Sequence, residues 1–171
     1  NPEWYKEDTQ FRADSEEAVW ARHILIMFGK DASQEDKDAA KKKAEELIEK
    51  IKAGEDFATL AKEHSEDPGS SGKGGEYLFG KGRMYADFEK AAFSLEPGQF
   101  TETPVLTESG YHIIKLEEKY AKDEPVSLRC AKEYNEYGTD FVRYKLISGI
   151  VNEWMEDAVY KENTDAYNSI K

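Results

Sequence analysis

The sequence predicts an α+β fold in which helices wrap a four-stranded sheet. Apolar, β-branched and aromatic residues are dense over residues 19–28, as in a buried strand. Apolar residues recur at helical spacing over residues 33–54, and two strand-like runs over residues 104–116 flank a short turn. The order strand, helix, helix, glycine-rich loop, helix and hairpin is typical of a small α+β domain.

Two helices follow the first strand. Ser33 is suited to cap the first, which ends at Gly54 and has one apolar stripe formed by Ala40, Ala44, Leu47, Ile48 and Ile51. Asp56 starts a second, shorter helix that ends near His64. Both patterns predict helices with one face against a sheet.

A glycine-rich segment separates these helices from the rest of the domain. Residues 65–82 contain six glycines, Pro68 and three serines, which predicts a long surface loop without a regular element. Helical spacing returns over residues 86–95. Residues 104–106 and 111–116 then predict a hairpin.

The chain divides into three predicted parts. Residues 1–19 form a helical or irregular lead-in, residues 20–120 form the α+β domain, and residues 121–171 form a C-terminal helical segment. An apolar stripe over residues 140–160 must pack on something: either the lead-in, or a client or second copy through a chaperone-like surface. Because the sequence begins with Asn1, we expect a trimmed or processed chain whose signal or anchor lies outside it.

Composition narrows the function classes. The formal charge of -12 repels phosphate backbones, so no nucleic-acid partner is expected. No apolar run approaches the roughly 18 residues of a membrane span. The single Cys130 and three widely spaced histidines predict no disulfide framework, no metal site and no cofactor.

Two histidines are candidates for the chemistry. His23 shares a strand face with Ala21 and Leu25, and His112 faces the same way as Ile114 and Leu116, so the two rings could meet. The residues alone equally allow two ordinary core histidines. Asp67 before Pro68 could likewise be only a turn former, and Met84 and Phe88 could be only core residues.

Residues 21–119 contain several motifs that occur together, in this order, in one known family. The motifs are Arg22-His23-Ile24-Leu25, Phe57-Ala58-Thr59-Leu60-Ala61, Ser65-Glu66-Asp67-Pro68-Gly69-Ser70, Lys73-Gly74-Gly75-Glu76-Tyr77, Gly82-Arg83-Met84, Phe88-Glu89-Lys90-Ala91-Ala92-Phe93 and Ser109-Gly110-Tyr111-His112-Ile113-Ile114. In these motifs the chain resembles the parvulin (PpiC, or rotamase) family of peptidyl-prolyl cis/trans isomerases. The resemblance implies a parvulin-like four-stranded antiparallel sheet wrapped by helices.

The resemblance also implies the site. The residues matching the family's polar lattice are His23, Asp67, Thr107, Ser109 and His112, and those matching its proline pocket are Tyr77, Phe79, Met84 and Phe88. The lattice would tune polarity around the rotating carbonyl without a nucleophile or base. One departure is visible, because the segment from Gly74 to Phe79 is one residue shorter than the usual parvulin loop, which bears on Tyr77 and Phe79.

The implied function is non-covalent isomerisation of X-Pro bonds in unfolded or secreted, proline-containing polypeptides. The flanking segments resemble those of the extracytoplasmic foldases of the PrsA and SurA type. We therefore expect a secreted, cell-surface or membrane-anchored foldase, with a homodimer through the flanking helices. The alternative is a catalytically weak chaperone module of the same fold that binds extended peptide. The acidic segment over residues 29–36 disfavours selection of phosphoserine before proline.

Overall fold

The structure, a computed structural model, describes residues 17–121 and 129–130. Within this part of the chain four strands form one antiparallel sheet in the order β2-β1-β4-β3, which confirms the predicted fold class. The strands are β1 (Ala18–Met27), β2 (Glu76–Gly80), β3 (Val105–Thr107) and β4 (Gly110–Tyr120). The α-helices of the same part are α1 (Gln34–Lys52), α2 (Phe57–His64) and α3 (Ala86–Ser94).

Strand β1 lies inside the sheet and has an apolar layer on each face. All of its residues except Met27 are buried. Ile24 and Ile26 pack with residues of α1 and α2 on one face, whereas Val19 and Ala21 pack with residues of α3 on the other. Burial on both faces explains why this strand reads as one apolar run in the sequence.

The helix boundaries agree with the capping residues. Ser33 caps α1: its hydroxyl accepts from the Asp36 N–H at 3.1 Å, and its own N–H donates to the Asp36 carboxylate at 3.0 Å. Asp56 caps α2 by accepting from the Thr59 N–H at 2.9 Å. Both caps satisfy N–H groups that have no partner inside a helix, reciprocally at Ser33 and in one direction at Asp56, and they confirm both predicted starts.

The glycine-rich segment corrects one prediction. Residues 65–82 were expected to lack regular structure, but they contain a short 3-10 helix, Ser71–Lys73, and the whole of β2. β2 pairs with β1 from Ala18↔Gly80 to Arg22↔Glu76. The prediction was wrong because the glycines on both sides hid a five-residue strand, whose formation depends on pairing with β1 and not on local propensity.

The face of the sheet that packs against α1 and α2 also contains an ion cluster. Arg22 Nη1 lies 2.7 Å from Glu76 Oε1, and Arg22 Nε lies 3.2 Å from Glu117 Oε1. Lys115 Nζ lies 3.0 Å from the same Glu117 oxygen. Arg22, Glu76 and Glu117 are buried, so each of these charges would be costly in isolation, and the partly exposed Lys115 supplies the fourth charge.

Residues 17–121 belong to one compact unit, residues 12–126, and Arg129 and Cys130 belong to a second unit. Most of the predicted lead-in and the apolar stripe over residues 140–160 lie outside the described residues, so the three-part division stays a prediction. In the described part, no helix is both long and apolar enough to span a bilayer.

Candidate active site

Two histidines meet on the face of the sheet that packs against α3. The register pairs Leu25 with His112 and His23 with Ile114, so the two histidines are diagonal neighbours on adjacent strands. Their Nδ1 atoms are 3.1 Å apart, and the rings stack with centroids 5.3 Å apart and planes inclined by 15°. Each histidine is only 4% exposed. The structure thus brings together the two rings that the strand patterns placed on one face.

Asp67 accepts hydrogen bonds at one end of this pair. Its Oδ2 lies 2.9 Å from His23 Nε2 and 2.9 Å from the Tyr77 hydroxyl, and it also accepts from the Ser70 hydroxyl. Its Oδ1 accepts from the Gly69 N–H at 3.1 Å. The hydrogen bond from His23, assisted by those from Ser70, Gly69 and Tyr77, holds the pKa of Asp67 well below its ordinary value against the opposing effect of burial. Asp67 is therefore an anion at neutral pH.

Thr107 lies at the other end of the pair. Its hydroxyl is 2.8 Å from His112 Nε2, and it accepts from the Ser109 N–H at 3.2 Å. The Ser109 hydroxyl instead donates to the Tyr85 hydroxyl at 2.9 Å. Ser109 therefore joins the lattice through its backbone N–H, whereas the sequence had suggested its hydroxyl.

The direction of each hydrogen bond follows from the acceptor at the end. An ionised carboxylate can only accept, so we assign the proton of His23 to Nε2, which leaves Nδ1 as an acceptor for the His112 Nδ1–H. His112 Nε2 then accepts from the Thr107 hydroxyl. Burial lowers the pKa of His112 from 6.5 to about 3, so this ring is neutral. The lattice is one continuous chain of donors that ends at Asp67.

An aromatic ring lies against both histidines. Phe88 makes edge-to-face contacts with His23 at 5.3 Å and with His112 at 5.1 Å between centroids. Phe88 is 3% exposed, and the half-buried Met84 packs in the same apolar cluster. Phe88, in the first turn of α3, thus lies against the polar lattice, and Met84, two residues before that helix, packs in the same apolar cluster.

The two residues of β2 predicted to line the pocket have different surroundings. Phe79 packs on Phe88 at 5.8 Å and on Phe93 at 6.1 Å, and within residues 17–121 no ring contact joins it to either histidine. Phe79 therefore supports Phe88. Tyr77 approaches His23 edge-on at 5.3 Å and directs its hydroxyl to Asp67.

Gly75 allows β2 to approach the histidine strand. Its carbonyl accepts from the His23 N–H at 2.8 Å, and its φ of 80° lies in the left-handed region. A Cβ at this position would overlap the carbonyl oxygen of His23. The glycine is therefore required by the backbone contact that holds His23 in place.

Sequence reasoning missed two residues of the site. Ser70 is 1% exposed and its hydroxyl also lies 2.9 Å from His23 Nε2. Its position three residues after Asp67, in a Pro-Gly turn, was a usable signal, because such turns fold the fourth residue back on the first. Tyr85 is 49% exposed and gave no signal. Among residues 17–121 and 129–130 no three His, Cys, Asp or Glu side chains form a group that could hold a metal ion.

Comparison with known proteins decides the family. Residues 8–120 match the family described as PPIC-type PPIASE domain. The chain belongs to this family. Its domain is a parvulin-type peptidyl-prolyl cis/trans isomerase, which confirms the resemblance noted in the sequence.

Relatives of this PPIC-type domain are foldases and chaperones. Foldase protein PrsA 4 of Bacillus cereus is 58% identical over 79 residues, which cover 46% of this chain and 28% of that protein. A crystal structure of the peptidylprolyl isomerase PrsA from the same species has a TM-score of 0.52 at 41% identity, and the match covers 71% of this chain and 41% of that one.

A third relative matches more of the chain. It comes from a structural study of PEB4 and the periplasmic protein Cj1289, two SurA-like chaperones of Campylobacter jejuni. Its TM-score is 0.53 at 28% identity, and the match covers 92% of this chain and 59% of that one. The chain spans less than half the length of the two PrsA proteins and less than two thirds of this chaperone.

Proposed function

We propose that this chain is the isomerase part of a foldase that acts on X-Pro bonds of unfolded or secreted polypeptides. The family supports the reaction, and the relatives named as foldases and chaperones support the client class. The contact of Phe88 with both histidines is the single observation that carries the proposal, because it joins the apolar cluster of α3 to the polar lattice at one point.

The reaction needs no covalent chemistry. Rotation about an X-Pro bond crosses a barrier of roughly 18 to 20 kcal/mol, because the twisted amide loses its resonance. The uncatalysed exchange takes about 10 to 100 s. Acceleration to about a hundred events per second requires lowering the barrier by only about 5 kcal/mol. Binding that favours the twisted amide can supply this amount.

Each part of the site has a proposed role. Phe88 and Met84 hold the pyrrolidine ring while the preceding carbonyl rotates, and they keep water from the amide. The planar amide is the more charge-separated form, so a poorly solvated surface favours the twisted one. The lattice of His23, His112 and Asp67, extended by Thr107 and Ser109 from the hairpin, sets the polarity next to that carbonyl.

Phe88→Ala tests the proposal, and Phe57→Ala is its matched control. Both side chains are 3% exposed, but Phe57 packs in the apolar cluster with α1, on the face away from the histidines. Each substitution should lower the free energy of unfolding by about 3 to 5 kcal/mol. In a protease-coupled proline-tetrapeptide assay, corrected for the folded fraction, only Phe88→Ala should lose activity, by more than about tenfold.

Met84→Ala keeps the test informative where Phe88→Ala folds poorly. Met84 is half-buried, so its loss costs less stability, and it should lower activity in the same direction. Equal activity of Phe88→Ala and Phe57→Ala per folded molecule would contradict the pocket assignment. Peptide binding by the unmodified chain without acceleration would instead indicate a chaperone module.

The location and assembly are further parts of the proposal. An extracytoplasmic location is supported by the PrsA relatives and by the likeness to a structure from a study that includes a periplasmic protein. The homodimer through the flanking segments concerns residues outside the described part of the chain. Sedimentation of the full chain and of a variant ending at Asp123 tests it: only the full chain should dimerise.

A further inference from the structure

Strand β2 places one of its side chains on the site. Tyr77 pairs with Ala21, so it lies on the same face of the sheet as Ala21 and His23. Its ring meets His23 edge-on, and its hydroxyl lies 2.9 Å from Asp67 Oδ2. Tyr77 therefore contacts both members of the His23–Asp67 hydrogen bond.

The Asp67 carboxylate has few orientations available. Its Oδ2 accepts from three side chains, His23, Ser70 and Tyr77, while its Oδ1 accepts from the Gly69 N–H. Burial, then the neighbouring Asp67 charge, raises the pKa of the Tyr77 phenol, so the hydroxyl keeps its proton and donates at neutral pH. A phenol in this position favours the ionised carboxylate over the protonated one.

We propose that Tyr77 is a positioning residue: its hydroxyl holds Asp67 aimed at His23 Nε2, and so sets the direction of the donor chain through both histidines. This role replaces that of a pocket wall for Tyr77. Its importance for catalysis rests on the proposed isomerase function. Its effect on Asp67 does not, because the hydrogen bonds exist without substrate.

The test substitution is Tyr77→Phe, which removes one hydroxyl and keeps the ring. The matched control is Tyr111→Phe, the same chemical change at a ring that packs against Phe28, with 5.7 Å between centroids. In both variants and the unmodified chain, NMR at pH 7 measures how fast the His23 Nε2–H, which bonds to Asp67 Oδ2 at 2.9 Å, exchanges with solvent.

In Tyr77→Phe the His23 Nε2–H should exchange with solvent about tenfold faster, as expected when the Asp67 carboxylate that it bonds to loses one of its hydrogen bonds. Tyr111→Phe should behave like the unmodified chain. The kcat of Tyr77→Phe should fall with little change in KM. Unchanged exchange of the His23 Nε2–H, or a rise in KM alone, would overturn the positioning role and restore the pocket wall.

The two arms separate the two hypotheses. If the unmodified chain has no isomerase activity, the proposed function fails while the exchange of the His23 Nε2–H still reports on Tyr77. If the chain is active and this exchange is the same in Tyr77→Phe and the unmodified chain, only the role of Tyr77 fails. Ser70→Ala, which removes a second donor to the same oxygen, should also speed the exchange.

Discussion

His112 makes the stability of the domain sensitive to mild acid. Burial is the larger cause that lowers the pKa of His112 from 6.5 to about 3. Between these two values the unfolded chain binds a proton at this position and the folded chain does not. The stabilisation is therefore fully present above pH 6.5 and is lost as the pH falls toward the folded pKa.

The size of the effect follows from the shift. One proton difference changes the free energy of unfolding by 1.36 kcal/mol per pH unit, so this group alone should remove about 2.5 kcal/mol between pH 7 and pH 4.5. The total free energy of unfolding of a domain of this size is about 5 to 15 kcal/mol. Asp67 adds nothing over this range, since the stability that comes from its lowered pKa is lost only below its ordinary 3.8.

The assay is urea unfolding at pH 7 and pH 4.5 for three proteins. His112→Gln keeps a neutral donor and acceptor but cannot titrate, so it should be less stable at pH 7 and lose about 2.5 kcal/mol less on acidification. His64→Gln, the same substitution at the partly exposed end of α2, is the matched control for the chemical change itself. An equal loss in His112→Gln and the unmodified chain would refute the reasoning.

Two backbone predictions concern the elements that frame the site. Gly75→Ala should destabilise the domain by more than about 1 kcal/mol, because the new Cβ overlaps the His23 carbonyl at a positive φ. Gly29→Ala is the control and should not destabilise it, since the space around Gly29 is open. Equal thermal midpoints of the two variants would contradict this prediction. Ser33→Ala should cost about 1 kcal/mol through the lost cap of α1, and no change in the urea midpoint would count against the capping box.

Local patterns were sufficient for most of the fold. The caps at Ser33 and Asp56 and the apolar stripe of α1 depend on residues within one or two turns, so they can be read without knowledge of the rest of the chain. Strand β2 could not be read in this way. Its five residues are ordered by hydrogen bonds to β1, more than fifty positions earlier.

The candidate site, like the fold, could be predicted from local patterns only in part. Strand alternation placed His23 and His112 on faces that could be shared, but their contact depends on the register between β1 and β4. The family resemblance placed Tyr77 in the pocket wall, and nothing local distinguishes a tyrosine facing a cavity from one whose hydroxyl faces a carboxylate. The difference depends on which atoms of the loop lie opposite the tyrosine, here the carboxylate of Asp67. The pairing of β2 with the distant strand β1 fixes that position.

Arg22 and His23 are consecutive residues that point to opposite sides of β1. On the Arg22 side, the formal charges of Arg22, Lys115, Glu76 and Glu117 sum to zero, so that cluster imposes little net field on the histidines across the strand. Substitutions in α1 that keep these four charges should therefore change the stability of the domain without changing the electrostatic field at the histidines.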